Sequence, residues 1–242
     1  DEGEIISPWL KDFVEGVGLL ANPPQSDYFI GIDTKDKQAI YDKDGNQISD
    51  KFDYINPKGL VSGQSQYYIG RKKIAGLSYE RIYDKDGNPI SPRFSGILPD
   101  GLVTGTRDFY VGWKTSLKHG GRFVESLMDK NGVNVLGRDV KYINAIDFLR
   151  GESNTFTFDA SGILSNFGND KIFIMEYNKT EDNRHRFMIK GYQLPSYPQS
   201  TIRGTVGATA TETRQTFKDL VSDFLSVVKS LKSLLGYGNV FN

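Results

Sequence analysis

Two runs, Asp42-Lys43-Asp44-Gly45-Asn46 and Asp84-Lys85-Asp86-Gly87-Asn88, set carboxylates and an amide around a glycine. Oxygen donors of this kind are what a hard cation such as calcium selects. A twelve-residue calcium loop opening at Asp42 or Asp84 finds a third ligand at Asn46 or Asn88. It then meets Asp53 or Ser95 where the bidentate glutamate belongs. The same residues build hairpin turns, in which aspartate and asparagine satisfy backbone groups and glycine takes a positive φ. The turn is the expected role, and no metal or cofactor is assigned. Arg71-Lys72-Lys73 and the group Lys114, Lys118, His119 and Arg122 offer basic patches, with Tyr67, Tyr68, Phe109, Tyr110 and Trp113 interleaved. Charge and stacking together suit single-stranded nucleic acid. Solvated loops beside a packed aromatic core account for the same pattern. Tyr68, Tyr110 and Trp113 also offer flat faces to sugar rings and are the candidate ligand-binding residues.

Arg184-His185-Arg186, with Glu181 and Asp182 close in sequence, sets a histidine among charges of both signs. A catalytic histidine needs an orienting acid and a nucleophile or metal, and spacing supplies neither here. Thirty acidic residues leave a carboxylate pair for glycoside hydrolysis open but single out none. No dinucleotide fingerprint, phosphate loop, nucleophile elbow or His-Glu-x-x-His motif occurs. The chain contains no cysteine, which removes thiolate nucleophiles, thiolate metal sites and disulfides. No catalytic residue is assigned.

The elements that must position these groups come from an internal repeat. Residues 41–70, YDKDGNQISDKFDYINPKGLVSGQSQYYIG, align with residues 83–112, YDKDGNPISPRFSGILPDGLVTGTRDFYVG, without a gap at an offset of 42, and 17 of the 30 positions are identical. Tyr28-Phe29-Ile30-Gly31 matches Tyr67-Tyr68-Ile69-Gly70, so the first unit is expected to begin near residue 26. Met128-Asp129-Lys130-Asn131-Gly132 stands in place of Tyr83-Asp84-Lys85-Asp86-Gly87, and Val135 in place of Ile90. A looser fourth unit follows, with a turn at Phe158-Asp159-Ala160-Ser161-Gly162-Ile163 and a strand over 171–177. Short alternating segments rich in aromatic and β-branched residues, separated by Gly, Pro and Asp-Gly turns, predict about four strands per unit. Residues 26–192 are therefore expected to form a mainly β domain of repeated four-stranded units. Its expected form is a small β-propeller or a propeller-like stack, with ring closure removing exposed sheet edges.

The order Gly-Leu-Val, an aromatic strand ending in glycine, Tyr-Asp-Lys-Asp-Gly-Asn, Ile-Ser and a Phe before the next Gly-Leu-Val resembles the WG (KWG) repeat family. Tyr68-Ile69-Gly70 and Tyr110-Val111-Gly112 stand where that family carries Trp-Gly, and Trp113 follows its glycine. The resemblance implies a β-repeat scaffold for interactions, with no catalytic residues to carry over.

Both ends are expected to be helical. Ser7-Pro8 suits a helix start, and Trp9, Leu10, Phe13, Val14 and Val17 then share one face, giving an N-terminal helical segment over 1–25. Residues 193–242 read as a linker, rich in Ser, Thr, Pro and Gly over 195–211, and then an amphipathic helix from Phe217 to Leu235. Its wide apolar stripe suits docking on the chain's own core, self-association, or lying on a membrane surface. Thirty basic and thirty acidic residues cancel, which disfavours nucleic acid as a partner, and no window of eighteen apolar residues spans a bilayer. The start at Asp1 and the lack of cysteine fit an exported protein, extracellular or at the cell surface, with the cytoplasm of a thermophile as the alternative. The function expected is a non-catalytic interaction module that binds another macromolecule through β-repeat loops. The alternatives are a lectin-like carbohydrate-binding repeat protein and an enzyme of unknown class.

Overall fold

The computed structural model describes residues 10–116, 121–159, 172–180 and 184–193. The protein is mainly β, with thirteen strands in four small antiparallel sheets among the described residues. The first sheet joins β1 (Leu10–Phe13), β2 (Tyr28–Asp33) and β3 (Gln38–Asp42). The second joins β4 (Tyr54–Ile55), β5 (Tyr67–Ile74) and β6 (Leu77–Asp84). The third joins β7 (Gly96–Ile97), β8 (Phe109–Ser116) and β9 (Arg122–Asp129). The fourth runs in order through β10 (Tyr142–Asn144), β11 (Thr155–Asp159), β12 (Ile172–Lys179) and β13 (His185–Gln193). A single short turn of helix, α1 (Ile146–Leu149), precedes β11.

In the first three sheets the fourth strand position is filled by an edge segment held through two isolated bridges. These are Gln38↔Phe52 and Tyr41↔Gln47, Glu80↔Phe94 and Tyr83↔Pro89, and Glu125↔Val140 and Met128↔Asn134. The same segment then crosses to open the next sheet, as Phe52 does on its way to β4 and Phe94 on its way to β7. Only the fourth sheet has four regular strands. The expectation of four strands per unit thus becomes three strands and a bridged edge.

The N-terminal helix expected over 1–25 is not formed where the chain is described. Leu10–Phe13 is a strand on β2, and a 3-10 turn follows at Gly18–Leu20. Repeat packing overrides the local periodicity. The amide of Val14 donates to Ile30 O, as Asn56 N does to Ile69 O and Leu98 N to Val111 O, so this segment is the opening strand of the first unit. The repeat pairing therefore includes Leu10–Val14, upstream of residue 26. Linker 195–211 and the expected C-terminal helix lie outside the described residues.

Period-two alternation makes each strand serve two cores. Ile30 and Ile40 of the first sheet pack with Tyr68 and Tyr83 of the second. On the other side of the second sheet, Ile69 and Ile82 pack with Tyr110 and Met128 of the third. Phe109, Val111 and Leu127 then meet Phe148, Leu149, Phe156, Met175 and Tyr177. Each sheet covers its successor's apolar face, and among the described residues no apolar cluster joins the fourth sheet to the first. The closed propeller is thus not what these residues show: they form four sheets packed in succession.

Glycine placement follows from the same contacts. A β-carbon on Gly112 would come within 2.6 Å of the Phe94 ring and one on Gly31 within 2.7 Å of Leu10, while at Gly70 it would strike Phe52. The glycine within each aromatic strand is the floor on which Leu10, Phe52 or Phe94 lies.

Two further contacts recur at each joint. Ser26 Oγ donates to Val61 O, Ser65 Oγ to Val103 O at 2.6 Å, and Thr106 Oγ1 to Leu149 O at 2.6 Å. Gln38 Oε1 accepts from Ile55 N at 2.7 Å, Glu80 Oε2 from Ile97 N at 2.8 Å, and Glu125 Oε2 from Ile143 N at 2.6 Å. Each donor or acceptor satisfies a backbone group of the following unit that burial would otherwise strand.

Candidate functional site

The aspartate runs are turns. Asp42 Oδ1 accepts from the amides of Asp44 and Asn46, and Oδ2 from Asn46 Nδ2 at 3.0 Å, while Gly45 sits at φ 81°. Asp84 repeats these bonds with Asp86 and Asn88, and Asp129 does so with the amides of Asn131 and Val133. The hydrogen bond from Asn46 and the turn amides holds the Asp42 carboxyl below its ordinary pKa, and Asp84 is lowered as well, its turn bonds outweighing the upward push of burial. A fourth example, which the repeat alignment did not reveal, closes the β2–β3 hairpin. There Asp33 accepts from the amides of Lys35 and Lys37, and Asp36 takes the positive φ of 57°. Lys51 and these amides bring Asp33 down to about 2. Among the described residues no group of three or more His, Asp or Glu could hold a metal ion.

Of the three candidate ligand-binding residues, two are core. Tyr68 is 1% exposed and Tyr110 is fully buried. Tyr68 stacks on Tyr83 at 5.4 Å and stands edge-on to Phe52, and Tyr110 stands edge-on to Phe94. Neither presents a face to a sugar. Alternation puts Trp113, three residues from Tyr110, on the opposite face of β8, where it is half-buried with its ring against Gly96. The Tyr68 hydroxyl has no hydrogen-bond partner, and the Tyr110 hydroxyl lies near Ser91 without the geometry of a bond. Burial pushes both phenols well above their usual range.

The basic residues are largely paired. Arg71 sends Nε and Nη2 to Glu80 Oε1 at 2.9 and 2.6 Å and lies 5.0 Å above Tyr54. Lys72 pairs with Asp50 at 2.9 Å over the Phe52 ring, and Lys114 pairs with Asp139 at 3.0 Å. Lys118 and His119 lie outside the described residues, as do Glu181 and Asp182. His185 faces different neighbours from those its sequence suggests. Its Nδ1 is 3.0 Å from Tyr177 Oη, its Nε2 is 3.7 Å from Asp108, and its ring stands edge-on to Phe109 at 4.9 Å. Arg107 closes the same corner, bonding Phe148 O, Ser153 O and Asn154 and lying 5.2 Å above the Phe148 and Tyr177 rings. This is a joint between the third and fourth sheets, with His185 bonded into it.

Glu80 and Glu125 were not legible as special. Glu80 is buried, its charge answered by Arg71. Glu125 has Trp113 across the ladder where Glu80 has Arg71, and burial raises its pKa. The available signal was the 42-residue spacing from Gln38 to Glu80, a polar residue in the apolar alternation of two successive units.

Two features of the surface stand apart from this internal use. The β5–β6 and β8–β9 hairpins carry exposed apolar residues toward their tips, Ile74 at 41%, Leu77 at 60% and Phe123 at 64%. Beside the β5–β6 hairpin lies an open groove of about 200 Å³, lined by Lys72, Ile74, Tyr79, Arg81, Pro89 and Arg93, with Asp50 and Gly70 in its wall. No family model matches this sequence, and no curated protein is similar to it.

Proposed function

We propose that the chain is a non-catalytic interaction module, a WG-type β-repeat scaffold that binds another macromolecule through its projecting hairpins. The observation that carries this reading is the division of labour among the residues. Turns, joints and cores take up Asp42, Asp84, Glu80, Tyr68, Tyr110 and His185, whereas Ile74, Leu77 and Phe123 are exposed near the hairpin tips. Exposed apolar side chains grouped at the end of a hairpin are a contact surface for a partner. The carbohydrate alternative loses Tyr68 and Tyr110 as platforms and keeps only Trp113. Export or display at a cell surface belongs to the same reading and rests on the cysteine-free composition. Among the described residues no helix is long and apolar enough to cross a membrane. Self-association through residues 217–235 would present several copies of the scaffold together.

The test is photo-crosslinking from Leu77 and Phe123 in a native extract, followed by binding measurements between the full chain and the identified partner, both purified. Replacing Ile74, Leu77 and Phe123 together by serine is expected to weaken binding at least about tenfold with the thermal midpoint unchanged. Unchanged binding refutes the reading. So does turnover of a substrate by the purified chain that one carboxylate substitution abolishes.

A further inference from the structure

The three repeats bring three equivalent positions to one place. Bridges Gln38↔Phe52, Glu80↔Phe94 and Glu125↔Val140 fix the correspondence, which sets one residue on the first hairpin strand, one on the second and one on the edge segment. In the first repeat these are Asp33, Ala39 and Lys51, and Lys51 Nζ lies 2.7 Å from Asp33 Oδ2. In the third they are Lys114, Ser126 and Asp139. There the Asp139 carboxylate takes Lys114 at 3.0 Å, Ser126 Oγ at 2.6 Å and Asn134 Nδ2 at 3.4 Å. The polarity of the pair reverses from the first repeat to the third, yet both hold one acid against one base.

The second repeat breaks the rule. Its three residues are Lys72, Arg81 and Arg93, all cations and all lining the open groove. Lys72 has Asp50, a carboxylate that is itself 73% exposed, and Arg81 Nε donates to Ser91 O at 3.0 Å. Arg93 makes no ion pair among the described residues. Three positive groups thus face one negative group where the neighbouring repeats are balanced. Such an excess is costly to hold together in one concavity unless an anion answers it.

Resting on the reading of the chain as an interaction module, we propose that this groove receives a carboxylate side chain from an acidic segment of a partner protein, seated between Lys72, Arg81 and Arg93. The third repeat displays the stereochemistry: an aspartate carboxylate fills that place, taking its bonds from the first strand, the second strand and the edge. A guanidinium fork is suited to a carboxylate. The groove's volume admits one or two side chains, and Ile74, Tyr79 and Pro89 give its wall apolar area against which a peptide packs.

The probe is a fluorescein-labelled hexaglutamate peptide, titrated with the full chain at low salt and followed by anisotropy. Saturable one-to-one binding is expected, weakening as salt rises. Arg93→Asp, which rebuilds the Lys–Asp pair of the third repeat, is expected to lower affinity at least about tenfold with the thermal midpoint kept, while Arg93→Lys retains most of it. Lys179→Asp on the fourth sheet makes the same change of net charge and is expected to leave affinity within about twofold. The proposal is overturned if the peptide does not saturate, or if Arg93→Asp and Lys179→Asp weaken it equally. It is also overturned if inorganic phosphate or a single-stranded oligonucleotide displaces the peptide more effectively than unlabelled hexaglutamate does. Loss of the identified partner on serine replacement at Ile74, Leu77 and Phe123, with no peptide binding, sinks the groove and leaves the module standing. Peptide binding dependent on Arg93, with the partner indifferent to the hairpin tips, sinks the hairpin reading instead.

Discussion

One substitution made at two equivalent positions should change stability in opposite directions. Glu80 and Glu125 each accept the amide of the following unit's isoleucine, and Gln38 makes the same bond with an amide oxygen. The bond therefore needs an acceptor but no charge. At Glu80 the charge is satisfied by two hydrogen bonds from Arg71, and Glu80→Gln leaves that guanidinium facing a neutral group. Charge-assisted bonds to a buried acceptor are worth about 1.5–3 kcal/mol, and the half-exposed Arg71 recovers part of this from water, so a loss of about 1–2 kcal/mol is expected. At Glu125 no cation is paired among the described residues, and burial disfavours the ionised form. Glu125→Gln keeps the bond to Ile143 and removes the unpaired charge, for a gain of about 1 kcal/mol at pH 7. The sign with pH follows. A carboxyl whose folded pKa lies above its unfolded value contributes most below the unfolded value, near 4.5, and loses that contribution as pH rises through the folded one. The gap between Glu125→Gln and the wild type should accordingly close below pH 4 and open toward neutrality. Urea unfolding of both variants at pH 4 and pH 7 measures it. Shifts of the same sign for the two variants at pH 7, or a Glu125→Gln gap independent of pH, would refute the reasoning.

Tyr68→Phe and Tyr110→Phe keep the ring contacts and delete hydroxyls without partners, so each is expected to stabilise by about 1 kcal/mol. Their raised pKa values favour the neutral phenol in the fold, a contribution present below pH 10 and lost above it, so both variants should also resist alkaline unfolding better than the wild type in a far-UV titration. Gly112→Ala drives a methyl into the Phe94 ring and should cost about 1–3 kcal/mol by chemical denaturation, whereas Gly76→Ala, with nothing within 4 Å, avoids that clash and meets only the strain of a positive φ. The Asp33 carboxyl should titrate near pH 2 by carbon-detected NMR, and Lys51→Ala should raise its midpoint. Because that folded pKa is depressed, its contribution is present above the ordinary carboxylate range and is lost as pH falls toward 2.

The β-repeat body and its aspartate turns were legible because both are written in adjacent residues: a turn fits within five positions, and a hairpin within two alternating runs. The N-terminal segment was not legible as a strand. Leu10, Phe13, Val14 and Val17 match a helical face, and the contact that overrides it is made with Ile30 and Asp33, some twenty residues away. Tyr68 and Tyr110 were misplaced for a related reason. An aromatic side chain in an alternating strand has a facing partner in another unit, here Phe52 or Phe94, and only the packing of successive sheets shows that both faces are covered. The basic groove was hidden because Lys72, Arg81 and Arg93 are spread along the chain, and their shared position follows from ladder register alone.

The joints between units carry a consequence for how such a chain can grow. Each unit offers its successor a hydroxyl from the start of its hairpin and a carbonyl-type oxygen from the second strand, and asks in return for an amide and a carbonyl that are backbone. A cassette of 42 residues cut anywhere in the second repeat and duplicated in tandem would therefore arrive with both halves of its own coupling. Its stability would add neighbour by neighbour, as in other repeat arrays, and its length would be set by how many cassettes the gene retained and not by the closure of a ring.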